Sequence, residues 1–188
     1  MYYVIMFVGS GLMNYAFLIF DICIILIIGI TNIYIYSRLS YKDNLLNKLF
    51  IHKNDSIWEH IKTLFTPILI ITLFEILLGV GSNFVLGKLL SLVLMALINP
   101  IVFLLLFNHS TWDMIKINIT NIVITLLIGI IPMILMTSLI ELNSFVYIIS
   151  IIGLVLILIF YITATFFPTN DFIFIDPETK KVKIKKDE

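Results

Sequence analysis

The sequence predicts an all-α integral membrane protein: a bundle of about five transmembrane helices with a short cytoplasmic C-terminal tail. Of its 188 residues, 61% are hydrophobic and only 13% are charged, whereas soluble domains are about half apolar and a quarter charged. The mean hydropathy is +1.12. The apolar residues form runs that match the roughly 20 residues needed for a membrane-spanning helix. This composition excludes an ordinary water-soluble enzyme and a disordered protein.

The chain divides into a predicted membrane domain, residues 1–167, and a predicted cytoplasmic tail, residues 168–188. Residues 1–14 are expected to extend the first helix or to lie at the membrane interface, with Asp21 near the outer end of that span. The predicted spans lie near 15–37, 57–80, 86–107, 117–140 and 145–167.

The distribution of basic residues predicts the orientation of the bundle. In an alternating five-span topology, 11 of the 12 basic residues fall on one side and only Lys88 falls on the other. Cytoplasmic loops are enriched in Lys and Arg, so we expect a multi-pass protein of the plasma membrane with its N-terminus outside and its C-terminus in the cytoplasm. The 12 basic and 12 acidic residues cancel, which argues against a nucleic-acid partner. The expected partner is the lipid bilayer.

Two smaller features complete the fold prediction. In the tail, residues 172–175 and 181–184 read as short strands around a turn at 176–179, which predicts a β-hairpin. The single cysteine, Cys23, cannot form an internal disulfide, and its apolar surroundings predict a small buried hydrophobe.

Residues 54–62 carry a motif, Asn-Asp-Ser-Ile-Trp-Glu-His-Ile-Lys. It resembles the Asn-Glu-Ser-x-Trp-Glu-His-x-Lys hallmark of an uncharacterised family of small bacterial multi-span membrane proteins. The resemblance covers roughly residues 25–184. Asp55 stands where the family usually has Glu, and Lys183-Ile184 stands where a Tyr-Gly-Ile-type ending is common. The resemblance implies a bacterial source and supports the fold and topology, but it implies no reaction.

The same motif has a structural interpretation. Ser56 and Glu59, three residues apart, form a capping box that begins the second span. Capping does not require His60, which shares a helix face with Glu75 at 100° per residue.

Glu75 is the residue hardest to explain by structure alone, because it lies about five residues inside the outer end of its span. A charged side chain at bilayer depth costs at least ~2.5–3.5 kcal/mol. Lys88, at the start of the next span, is the predicted partner. The pair is either an interhelical tie or part of a substrate, ion or proton site. Asn99 shares a face with Lys88, and Asn121 lies on a polar face of the fourth span.

These residues leave three functions open. The leading hypothesis is binding or transport of a small molecule or ion through an interior polar face. Because five spans are few for a transporter, the protein is then expected to form a homo-oligomer or to join a larger membrane complex. The candidate residues for this polar site are Glu59, His60, Glu75, Lys88, Asn99 and Asn121.

The second hypothesis is a membrane-embedded enzyme acting at the cytoplasmic face. Glu59 would be its general base or metal ligand, with His60 or His109 as partner. The spacing matches no recognised metal or phosphate motif, so any metal or cofactor stays unknown. The third hypothesis is an accessory or assembly subunit that docks a partner through residues 169–188.

Overall fold

A computed structural model describes residues 15–32, 49, 55–139 and 142–177 of the chain. In this part of the chain the regular structure is helical, and five helical segments are long and apolar enough to cross a membrane. The helices are α1 (Tyr15–Asn32), α2 (Ile57–Leu77), α3 (Ser82–His109), α4 (Met114–Gly129), α5 (Ile131–Thr137) and α6 (Ser144–Phe166). Each predicted span overlaps one of these segments to within a few residues at each end, with α4 and α5 together forming the fourth.

The fourth predicted span is one spanning segment, Met114–Thr137, with a single irregular residue, Ile130, between α4 and α5. Helix α4 ends at Gly129, and α5 begins at Ile131 after a single linking residue, Ile130. Pro132, in the first turn of α5, has no backbone N–H, so one hydrogen bond of the helical ladder is missing there. The ladder continues on both sides, because Ile130 donates to the Leu126 carbonyl at 2.9 Å and Ile134 donates to the Ile130 carbonyl at 3.1 Å.

Helix α3 is the centre of the bundle, since it packs against α2, α4, α5 and α6. Helix α2 is largely enclosed: 67% of the residues in its apolar 18-residue stretch are buried. In the corresponding stretch of α6 only 17% are buried. Large apolar side chains such as Leu97, Leu156 and Phe160 are exposed on the outside. Polar and charged side chains lie inside. This is the arrangement expected of a bundle surrounded by lipid.

Cys23 is exposed on α1, so the prediction that it is buried is wrong. An apolar run around a cysteine indicates either a protein core or a lipid-facing surface, and the two look alike in the sequence.

The chain after α6 folds back beneath the bundle. Residues 172–175 form turns, so the strand predicted there is wrong; the second predicted strand, 181–184, lies outside the described residues. The backbone N–H of Trp58 donates to the carbonyl of Ile173 at 2.9 Å. The ring of Phe174 packs on the buried Trp58 indole, with centroids 5.9 Å apart. The segment is therefore held against α2 by a backbone hydrogen bond and an aromatic contact.

Candidate functional site

The ammonium of Lys88 lies between two carboxylates from different helices. Nζ of Lys88 on α3 is 2.9 Å from Oδ2 of Asp21 on α1, and it donates a hydrogen bond to Oε2 of Glu75 on α2. The three residues are at most 2% exposed. The structure therefore shows the Glu75–Lys88 contact predicted from the sequence and adds Asp21, which the prediction missed. We call these three residues the buried triad.

The buried triad holds two acids and one base. Lys88 also lies over the ring of Phe84, with Nζ 5.1 Å from the ring centroid, a distance at which a cation is attracted to the ring face. Oδ1 of Asp21 and Oε1 of Glu75 have no hydrogen-bond partner among the described residues. With all three groups ionised, the buried triad would carry one uncompensated negative charge.

The order of the helices explains how the buried triad assembles. Helices α2 and α3 are joined by a short turn in which Gly79 has φ 78°, a conformation that favours glycine. The turn reverses the chain, so Glu75 and Lys88, 13 residues apart, reach the same level. Asp21 is the only charged residue of the first predicted span. Its expected position near the outer end of that span already indicated that it lies at the same depth as Glu75 and Lys88.

A second group of buried polar residues lies on α3 and α4. Ser91 and Asn99 of α3, and Asn121 and Thr125 of α4, are all 0% exposed. We call these four residues the polar seam. Thr125 donates from its hydroxyl to Oδ1 of Asn121 at 3.3 Å.

Much of the hydrogen-bonding capacity of the polar seam is unused. The hydroxyl of Ser91, both polar atoms of the Asn99 amide and Nδ2 of Asn121 have no partner in the part of the chain that the structure describes. A buried polar group without a partner costs roughly 1–3 kcal/mol. Asn99 and Asn121 were predicted from the sequence to line the interior, and the structure places both there.

His60 also faces the interior, as predicted. It is fully buried, and its ring packs against Phe103 with centroids 4.3 Å apart. Phe103 lies one helical turn from Asn99 on α3, so His60 lies close to the Asn99 end of the polar seam, the end away from the buried triad.

Glu59 has a local structural role. Its backbone N–H donates to the hydroxyl of Ser56 at 3.5 Å, which is the predicted helix cap. Its carboxylate lies 2.5 Å from Nζ of Lys62, one turn further along α2. Asp55, also in the motif, accepts a hydrogen bond from the Asn118 amide at 2.8 Å. The motif therefore begins α2 and ties it to α4.

The enzyme hypothesis requires Glu59, His60 and His109 to converge. His109 is exposed at the end of α3, whereas His60 is fully buried. Within residues 15–32, 49, 55–139 and 142–177, no three His, Cys, Asp or Glu side chains form a group that could hold a metal ion. Asp113, in the same loop as His109, caps α4 by accepting from the Lys116 N–H at 3.0 Å.

Comparison with protein-family models, curated proteins and solved structures finds no match to this chain. The resemblance of residues 54–62 to a bacterial membrane family therefore stays a prediction.

Proposed function

We propose that this protein is a small membrane transporter that carries a proton through its interior polar face and binds it at the buried triad. The observation that carries the proposal is the sharing of one ammonium, that of Lys88, by two buried carboxylates. Ionisable residues inside a membrane bundle are rare, and they mark ion pathways and proton relays.

Charge balance favours a cation as the ligand. An uncompensated buried charge is costly. Two carboxylates and one ammonium carry a net charge of −1, which one added positive charge cancels. Hard metal ions are held by six or more oxygen ligands. Three oxygens of the triad have no hydrogen-bond partner among the described residues, Oδ1 and Oδ2 of Asp21 and Oε1 of Glu75, and the Lys88 ammonium already lies against Oδ2. A proton needs a single oxygen, so it fits this site better than a metal ion.

The same contacts link proton binding to movement. Lys88 joins α1, α2 and α3 through its two carboxylate partners. Protonating one carboxyl group weakens its attraction to the ammonium and loosens the contact between α3 and the helix that carries it. The fourth span packs beside α3 and lacks one helical hydrogen bond at Pro132, which gives it a point at which it can bend with α3.

The proposal includes the predicted setting of the site. The buried triad lies near the outer end of a multi-pass protein of the bacterial plasma membrane, with the N-terminus outside and the C-terminus in the cytoplasm. Because five spans are few for a transporter, the working unit is a homo-oligomer or a larger membrane complex.

Proton flux into liposomes tests the proposal. The full-length protein is reconstituted with a trapped pH dye, and a potassium diffusion potential drives proton entry. Wild type should acidify the interior, and Glu75→Gln should reduce entry to the level of empty liposomes because it removes one acid of the triad. The control, Asp113→Asn, should conduct like wild type, since it changes an exposed cap to another good capping residue.

Two results would contradict the proposal. One is a Glu75→Gln variant that conducts as fast as wild type while folded. The other is a flux that requires sodium and disappears when sodium is replaced by choline, which would assign the site to a metal ion.

A further inference from the structure

We infer that the polar seam holds a file of water molecules that carries the proton between the buried triad and the opposite end of the bundle. The inference rests on the proposed function and adds the route. It starts from the unused hydrogen-bonding capacity of Ser91, Asn99 and Asn121, each of which is 0% exposed.

The asparagines of the polar seam differ from an asparagine that serves as interhelical glue. Asn83, near the start of α3, donates to the Leu139 carbonyl at 3.0 Å and accepts from the Leu142 N–H at 2.8 Å. Asn99, on the same helix, has no side-chain hydrogen bond among the described residues, although it is more deeply buried. Its amide therefore fits a mobile partner better than a fixed helix–helix contact.

The polar seam is continuous in depth with the buried triad. Ser91 follows Lys88 by three residues, or ~4.5 Å along α3, and Asn99 follows Ser91 by ~12 Å. A Cβ added at Gly129 would lie 2.2 Å from Cγ of Met95, which places Gly129 of α4 opposite Met95 of α3. The two helices run antiparallel, so Asn99, four residues after Met95 on α3, lies at the level of Thr125, four residues before Gly129 on α4.

Water is the ligand that these groups favour. The four side chains of the polar seam carry no formal charge, and hydroxyl and amide groups both donate and accept. A buried water usually makes about three hydrogen bonds to polar groups that otherwise lack partners. The ~12 Å between Ser91 and Asn99 corresponds to about four water–water hydrogen bonds of ~2.8 Å. Met95 lies between these two residues and would flank the file.

Hydroxyl-radical labelling of the wild-type protein in liposomes tests for this water. Methionine sulfur is oxidised readily where water touches it, and Met95 and Met133 are both 1% exposed, so they form a matched pair. Met133 lies on α5 at its contact with Gly87 of α3, one helical turn before Ser91 and so outside the stretch from Ser91 to Asn99. We expect Met95 to be oxidised several times faster than Met133. Equal protection of the two methionines would overturn the inference, and this comparison needs no variant to fold.

The variant Asn99→Leu tests the route. It keeps the branched shape and the number of heavy atoms of the side chain and removes both polar atoms, so we expect Met95 labelling to fall to the level of Met133 and proton flux to be lost. The melting temperature should stay the same or rise, because an unpaired buried amide is replaced by hydrocarbon. Asn108→Leu, at the exposed end of the same helix, is the matched control and should conduct like wild type.

The outcomes separate the route from the site. If Met95 is protected and Asn99→Leu conducts normally while Glu75→Gln does not, the route is wrong and the buried triad stands. If Met95 is labelled but wild type carries no proton, the proposed function is wrong, and with it the role of the water in proton transfer. A melting temperature of Asn99→Leu well below that of wild type would assign Asn99 to packing and overturn the inference.

Discussion

Lys88→Met should strongly destabilise the protein, because it removes the only ammonium that contacts Asp21 and Glu75 among the described residues. The methionine fills a similar volume, so the loss is mainly one of charge. Removing one partner from a buried ion pair costs about 3–5 kcal/mol, and both carboxylates are at most 2% exposed, so solvent cannot compensate them. We therefore expect a loss of about 3–5 kcal/mol in the free energy of unfolding.

The assay is reversible unfolding of the detergent-solubilised protein by titration with sodium dodecyl sulfate. Lys116→Met is the matched control, because its ammonium is 3.8 Å from the Asp113 carboxylate in an exposed pair, and such pairs contribute about 0–1 kcal/mol. The triple variant Asp21→Asn, Glu75→Gln, Lys88→Met should regain most of the lost stability, since replacing a whole buried ionic group is often neutral or stabilising. The reasoning is refuted if Lys88→Met unfolds like wild type, or if the triple variant is as unstable as Lys88→Met.

Two further substitutions test the packing by the same titration. Gly129→Ala should destabilise by about 1–3 kcal/mol, because its Cβ would lie 2.2 Å from the buried Met95 side chain; Gly29→Ala, whose Cβ would meet nothing closer than 3.5 Å, should not. A Gly129→Ala variant as stable as Gly29→Ala would contradict the close approach of α3 and α4. Tyr161→Phe should cost about 1–3 kcal/mol, since its hydroxyl donates to the Leu49 carbonyl at 2.6 Å. An unchanged unfolding midpoint would show that this hydrogen bond does not stabilise the contact of Leu49 with α6.

The fold was largely predictable because hydrophobic runs report span number directly. Lipid and protein interior are both apolar, so the runs do not report which residues face lipid, and Cys23 was placed wrongly for that reason. The irregular residue Ile130 in the fourth span had a visible signal in Pro132, which was interpreted only as part of a polar face.

In the tail, a local sequence pattern led to a wrong prediction of secondary structure. Residues 172–175 were interpreted as a short strand, but the structure packs Phe174 on Trp58 and uses the Ile173 carbonyl to accept a hydrogen bond from α2. A local pattern cannot register a partner that lies more than 100 residues away.

The candidate site was predictable in part. Depth within the span and opposite charge were enough to pair Glu75 with Lys88, and both are readable from the sequence. The third member, Asp21, was missed because the sequence does not tell which helices pack against α1, although its depth in the membrane was predicted. Helix periodicity placed Asn99 and Asn121 inside, yet periodicity cannot tell a bonded amide from an unbonded one.

The central claim is that the buried triad holds one proton that leaves and returns. Infrared spectroscopy of the bilayer-reconstituted protein tests it through the carbonyl stretch of a protonated carboxylic acid, measured at the pH of the flux assay. We predict this band in wild type and its loss in both Asp21→Asn and Glu75→Gln, because each variant leaves one carboxylate balanced by Lys88. A wild-type spectrum without the band, or a band that survives both substitutions, would contradict the claim.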